Sequence, residues 1–476
     1  MGFFHCPFVQ KGAFCMIRLV ASLLAAALAL PMTGCGSPAS SPSSSTSSQL
    51  TVISASPTAL NQPVIPDFPQ MPLPPEGADA DWDAYNAADD AYRQALGQFR
   101  KTGISQQTVQ ALNDFSLRTT PLVLAGQEGE NAIYSPLSLW SALAMLTQCA
   151  DHTSREQVLS ALGTDGLDSL TEQVNQVWQG LYTDDGQRSL LLGNSIWLNS
   201  AVEGSYVPET LDTLAQAHHT GVFSVPMGTG EADQAITDWV SQQTEGLIGS
   251  DEPVLETTAD TLAVLASSLY YKAAWMDEFS PGNTYPDTFT DVQGKENQVD
   301  FMHQNDSGDY LVGDNYRAAR LSTTLGEMVF VLPDEGTSPE ALLQQDGFLS
   351  QLDFSSDQVN HGQIQWSVPK FDVNSQLDLM SALEQMGIAD LLDPDRADLS
   401  ALTSIPAYLS KAQQLCRVKA DEEGVEAAAV TLLVMDATAA PVDDEPFVMD
   451  LDRPFLFLIR SEGVPLFIGV VNSVTP

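Results

Sequence analysis

Positive charge is what this chain has least of: 19 Lys and Arg stand against 62 Asp and Glu, a formal net charge of −43 over 476 residues. Phosphate backbones and anionic headgroups repel such a surface, which argues against nucleic acid or a peripheral membrane surface as partner. Basic proteins fit it better, although an acidic surface also serves solubility alone. Cysteine is scarce too, with five residues at positions 6, 15, 35, 149 and 416. None forms a CxxC pair or a metal-ligand spacing with the six histidines, and the adjacent His218 and His219 would point different ways on a helix. No metal or other cofactor is expected.

Catalytic signatures are missing as well. The sequence holds no GxSxG, HExxH, phosphate-binding P-loop or GxGxxG. Ser367-Val-Pro-Lys370 fits SxxK and Lys101-Thr-Gly103 fits KTG, but their order is reversed, and Pro369 denies the helical turn that would bring serine to lysine. No catalytic residue is named and an enzyme is not expected. A hydrolase with a dispersed triad is the rival from another class.

Long apolar runs are also absent except near the start. From Met16, MIRLVASLLAAALALPMTGC places Arg18 before an apolar run, Leu19 to Leu30, too short for a typical spanning helix, followed by small residues. That is an export signal, with Met16 as the expected true start. Thr33-Gly34-Cys35 resembles a bacterial lipobox, although Met32 stands where Leu is usual. The resemblance implies that Cys35 is lipidated and that the protein is an extracellular, cell-surface lipoprotein; an ordinary signal peptide and a free secreted protein are the alternative. Residues 1–35 are thus read as signal, the Ser/Pro-rich residues 36–78 as a linker that forms no core, 79–105 as an amphipathic helix packed on the main domain, and 106–476 as that domain.

What is present is a regular order of elements. Trp82, Tyr85, Tyr92 and Phe99 recur at helical spacing, a second helix follows near Gln106–Leu124, and NAIYSPLSLWSALAMLTQC reads as a strand turning into a buried helix. Helical patterns, with LLLGNSIWL as a strand among them, continue to Gly249. From Thr261 strands take over: LAVLASSLYYKAAW, EMVFVLP, GQIQWSVPKF, FLFLIR and PLFIGVV. The expected class is α+β.

Over about residues 106–476 the chain resembles a serpin. Asn131-Ala-Ile-Tyr-Ser-Pro-Leu-Ser138 continuing into SALAML, Thr237-Asp-Trp-Val240 with Thr244 and Gly246, LASSLYYKAAW ending at Trp275, VPKFDV, LMSALEQMGI and MDLDRPFLFLI carry the resemblance. It implies helices around a large central mixed sheet with an exposed reactive loop, acting as a monomer. It implies a suicide-substrate inhibitor of serine proteases: the cut loop enters the central sheet while the protease is still acyl-linked. By the same resemblance Asp421–Gly424 would end a strand of that sheet. The hinge would comprise Glu422, Gly424, Val425, Glu426, Ala427, Ala428 and Ala429, with Val425 to about Thr438 as exposed bait. Trp275 would mark the breach where the sheet opens. The gate beneath, usually an Asn and a His, becomes Ser267 and Gln414 beside Ser135 and Ser138. Counting forward from Gly424 puts the reactive bond between Thr438 and Ala439, while counting back from Arg453-Pro-Phe455 lands nearer Ala440.

The loop residues fit such insertion on their own terms. Val425, Ala427, Ala429, Thr431, Leu433 and Met435 share one parity and none is charged, and no Pro or Gly interrupts residues 425–435. Every candidate before the cut is small and no Lys or Arg occurs between Asp421 and Asp452. A pocket built for a basic side chain has nothing to bind, so elastase-like or subtilisin-like proteases are the expected partners. A non-inhibitory serpin, a binding or structural surface protein, is the alternative.

Overall fold

In the computed structural model, which describes residues 58–75, 81–101, 103–249, 253–426 and 445–475, helices fill most of the first half and strands most of the second. The first sheet runs in the order β1 (Thr58–Asn61), β5 (Thr220–Val225), β4 (Ser189–Asn199), β6 (Ala263–Ala274), β14 (Gly424–Val425), β13 (Gln413–Ala420), β12 (Phe371–Asp378), with β3 (Thr183–Asp184) paired to β4. The second runs β15 (Phe447–Asp450), β11 (Asn360–Pro369), β8 (Glu296–Val312), β9 (Tyr316–Thr323), β10 (Gly326–Pro333), β16 (Phe455–Ser461), β17 (Val464–Val471), β2 (Ala132–Tyr134), with β7 (Thr284–Thr290) on β8. Two pairs, β4 with β5 and β11 with β15, are parallel, so both sheets are mixed. Strands without a polar interruption lie buried on both faces: every residue of β17 is buried, and Gly469 leaves the room that the Phe457 ring takes on β16.

The helices are α1 (Trp82–Phe99), α2 (Gln106–Val123), α3 (Pro136–Cys149), α4 (His152–Leu162), α5 (Leu167–Leu181), α6 (Pro208–Ala217), α7 (Gly230–Gln243), α8 (Pro339–Leu343), α9 (Phe348–Gln351) and α10 (Met380–Gln385). Apolar nearly all round, α3 sits in the core against β6 and β17. Its start is fixed by Pro136 in the first turn and by Ser135, whose hydroxyl caps the Ser138 amide.

The segment 36–78 is not a linker throughout. Where the structure describes it, from 58 to 75, it docks on the domain: β1 pairs with the edge of β5, and Phe68 is buried. An open sheet edge offers unpaired backbone groups, and four residues with little side chain to bury are enough to use them. Phe68 meets Phe99 of α1 at 4.8 Å and Tyr182 at 6.0 Å, and Tyr182 stacks on Trp178, which stacks in turn on His219. Farther along α1, Tyr92 donates to Asp185, itself held by Arg188. Trp82, placed by spacing on the buried stripe, is instead exposed in the first turn.

Burial pushes both His218 and His219 down to about 4. A base whose folded pKa is depressed contributes stability that is complete above its unfolded value, near 6.5, and is lost as pH falls toward about 4. Urea midpoints should therefore fall over that window. His219→Phe, which keeps a ring on Trp178, should remove on the order of 2 kcal/mol of the fall. A pH profile unchanged by the substitution would contradict this.

Candidate functional site: a gap in the central sheet

No ladder joins β6 to β13 among the described residues, of which the two in β14 stand between them. After Ala420 the chain turns through Asp421, Glu422 and Glu423 and returns antiparallel to both neighbours, Gly424 opposite Ala274, and Val425 opposite Ala273 and Ala420. A Cβ on Gly424 would stand 2.3 Å from the Ala273 carbonyl oxygen, so only glycine lets the backbones approach this closely. The turn is anchored from several sides. Trp275 donates its backbone N–H to Glu423 O at 3.0 Å and its indole Nε1 to Asp421 O at 2.9 Å. Lys370 pairs with Glu422 at 2.7 Å and Lys419 with Asp421 at 3.2 Å. Burial raises the Glu422 carboxyl, but the bond and charge of Lys370 together with hydrogen bonds from its own backbone N–H and from Thr284 outweigh it, and the group ends below its ordinary range.

Two expectations are corrected here. The strand ends at Ala420 rather than at Asp421–Gly424, and Val425 is not exposed bait: it is 3% exposed, seated in the sheet with its side chain in the core. The physical reason is local. A valine on the core-facing parity gains by burial, and the missing Gly424 side chain removes the only obstacle.

Glu426, the last described residue of this stretch, has φ at +41, a left-handed conformation costly for a side chain of this kind. Its N–H still bonds Lys419 O at 3.1 Å, and its carboxylate accepts from Tyr270 Oη at 3.3 Å. Among the described residues the second carboxylate oxygen is buried without a hydrogen-bond partner, and burial raises the group's pKa against the Tyr270 bond and the fields of Lys272, Lys419 and Arg417. Beside β14 a small cavity of about 20 Å³ is lined by Leu269, Tyr271, Val418 and Val425 together with Tyr270 and Arg417. A strand continuing from β14 would run antiparallel to both β6 and β13, a direction β14 already sets.

Beneath the sheet, three of the four expected gate residues meet. Ser135 Oγ donates to Ser138 Oγ at 3.1 Å, the Ser135 N–H donates to Gln414 Oε1 at 2.8 Å, and Gln414 Nε2 donates back to Ser135 O at 2.9 Å. Ser267 lies on β6 opposite Asn194, and among the described residues no hydrogen bond joins it to Gln414. Gln414 ties β13 to the start of α3 rather than to the strand across the gap. Spacing in the sequence carries no signal for that, nor for the bond from Tyr270 to Glu426.

Ala427, Ala428 and Ala429 of the expected hinge, the bond at Thr438, Ala439 or Ala440, and Cys35 lie outside the described residues. Cys149 and Cys416 are free and buried, and burial pushes both thiols up to about 12, away from reactive thiolates. Among the described residues no group of His, Cys, Asp and Glu is placed to hold a metal ion.

A family model described as Serpin (serine protease inhibitor) matches residues 110–474. Serpin-ZXA of Oryza sativa subsp. japonica is 29% identical over 79% of this chain and 98% of its own length. Glia-derived nexin of Rattus norvegicus is 25% identical over 76% of this chain and 92% of its own. Of solved structures, the thermophilic serpin tengpin in its native state superposes with a TM-score of 0.69 at 26% identity, covering 78% of this chain and 96% of that one. Human thyroxine-binding globulin gives 0.68 at 24% identity over 78% and 99%, a likeness of fold alone.

Proposed function

The chain belongs to the serpin family, and from that premise we propose that it is an irreversible inhibitor of serine endopeptidases with elastase-like or subtilisin-like specificity. Serpins are in general serine protease inhibitors, not enzymes, and the family's strand-addition mechanism needs a sheet that accepts the cut loop. One observation carries the reading: Val425 is already seated between β6 and β13, antiparallel to both. A loop continuing from β14 enters in register, antiparallel to both neighbours, and each pair of backbone groups it satisfies contributes about 1 kcal/mol net.

The test is an SDS gel after incubation with elastase. An SDS-stable adduct supports the inhibitor; simple clipping means a non-inhibitory serpin; peptide turnover by the protein alone means an enzyme. Specificity is tested by Thr438→Arg, which should gain inhibition of trypsin-like enzymes and lose about tenfold or more against elastase, because the residue before the cut fills the protease's pocket. A released peptide that starts well before Ala439, for example after Met435, would move the reactive bond and remove the reason for an elastase-like target.

The proposed setting is the outside of a bacterial cell, with Cys35 lipidated and the inhibitor tethered through it. Cys35→Ser should move the protein from the cell fraction to the medium with its inhibition intact. Wild-type protein found free in the medium, with another N-terminus, would leave a secreted inhibitor.

A further inference from the structure

Three strands of the second sheet turn a common face to solvent. In their register Asn305 of β8, Gln365 of β11 and Val448 of β15 lie side by side, with His303, Ser367 and Asp450 in the next row. Residues opposite one another share a face, and the alternate residues Ile364, Trp366 and Met449 are buried in the core on the other. Asn305 and Gln365 are exposed, as is Val448 at 41%. Tyr285 of β7, 50% exposed, stacks on His303 at 4.1 Å and widens the face. Carboxylates stand at its borders: Asp450, half-buried and held by a hydrogen bond from Ser367, and Asp309, 2.8 Å from His361.

The middle of this face is uncharged in a chain with 62 Asp and Glu. Solubility favours charge at such exposed positions, whereas the centre of an interface excludes it. Aromatic, amide and hydroxyl side chains supply contact area and adaptable hydrogen bonds there. The occupant follows from chain length. On the inhibitor reading, on which this inference rests, the protease is held at the bond after Thr438, and eight residues lead from Ala439 to Phe447, the first of β15. Fully extended, they span no more than about 30 Å. A protease domain of roughly 200 residues is about 40 Å across, so its rim comes within reach of β15. The outward face is the one open to it.

We infer that the outward face of β8, β11 and β15, centred on Gln365 and Val448, is a docking surface for the body of the target protease, and that it fits an uncharged, partly apolar rim beside the protease's active site. Contact there adds to recognition of the bond itself and speeds formation of the first complex. Insertion is untouched, because β8, β11 and β15 belong to the second sheet and the loop enters the first.

The test measures the association rate constant of the full chain with elastase, and the ratio of adduct to clipped product on a gel. A charge of either sign is costly to bury in a partly apolar contact. Val448→Glu and Val448→Lys should therefore both lower the association rate constant, by about tenfold, and leave the ratio unchanged. Val448→Thr should stay within about twofold of wild type. Equal melting temperatures for the variants and wild type check that β15 keeps its place. Opposite effects of the two charges would mean long-range steering and would overturn docking, as would wild-type rate constants in both. A dimer of the wild type that the same two variants dissociate would give the face to a second copy of this chain and overturn the proposal too. If the wild type forms no adduct, the inhibitor reading fails by itself. The face is then read from kcat/KM for clipping of the loop: a loss in both variants supports docking, and unchanged values overturn it.

Discussion

Val425→Arg is expected to turn an elastase trap into an elastase substrate. The side chain at 425 is 3% exposed among apolar core residues, next to Ala273 and Ala420. A guanidinium there has to be desolvated without a partner, at a cost of about 3–5 kcal/mol. The uncut hinge escapes that cost by leaving the sheet, whereas every inserted state has to meet it, and the deacylation competing with insertion does not. Insertion should slow roughly 100-fold or more. On an SDS gel the adduct should vanish and clipped protein should take its place, with the cleavage rate unchanged. Val425→Thr, close in size and β-branched, is the control and should retain the adduct. If the arginine variant forms adduct at the wild-type yield, residue 425 does not enter the sheet during inhibition.

Cutting the loop should raise the melting temperature, whereas a nick in an ordinary surface loop is neutral or destabilising. Among the described residues the uncut protein shows no ladder between β6 and β13, holds Glu426 at a positive φ, and leaves one of its buried carboxylate oxygens without a hydrogen-bond partner. A strand running on from Val425 removes all three costs. The uninterrupted residues 425–435, paired on both sides, contribute roughly 10 kcal/mol at about 1 kcal/mol per net hydrogen bond. At a couple of degrees per kcal/mol this is on the order of 20 °C. Calorimetry before and after nicking checks it. Coincident transitions would favour a serpin that does not inhibit.

Strands were legible wherever apolar residues ran on without a polar break. EMVFVLP, FLFLIR and PLFIGVV became β10, β16 and β17, because a segment apolar on both faces has nowhere to go but the middle of a layered core. The buried helix α3 was legible for the same reason, with Ser135-Pro136 as its start signal. The segment 58–75 was not legible, because its attachment rests on backbone pairing to the edge of β5 and on one aromatic, Phe68. Main-chain pairing leaves little trace in composition. Trp82 was misplaced because helical spacing names a stripe without saying how far the packed surface extends along it.

The sequence by itself determined that Val425, Ala427 and Ala429 share a face, that Gly424 precedes them, and that no basic residue lies between Asp421 and Asp452. Parity, permissive glycine and charge are properties of a chain in order, and they need no neighbours. Only the tertiary structure decided that Val425 is already inside the sheet and that Gln414 bonds the main chain of Ser135 rather than Ser267. Each depends on which of several possible partners comes within about 3 Å once distant segments are packed, and a hydrogen bond is decided at that distance rather than by the identity of the residue.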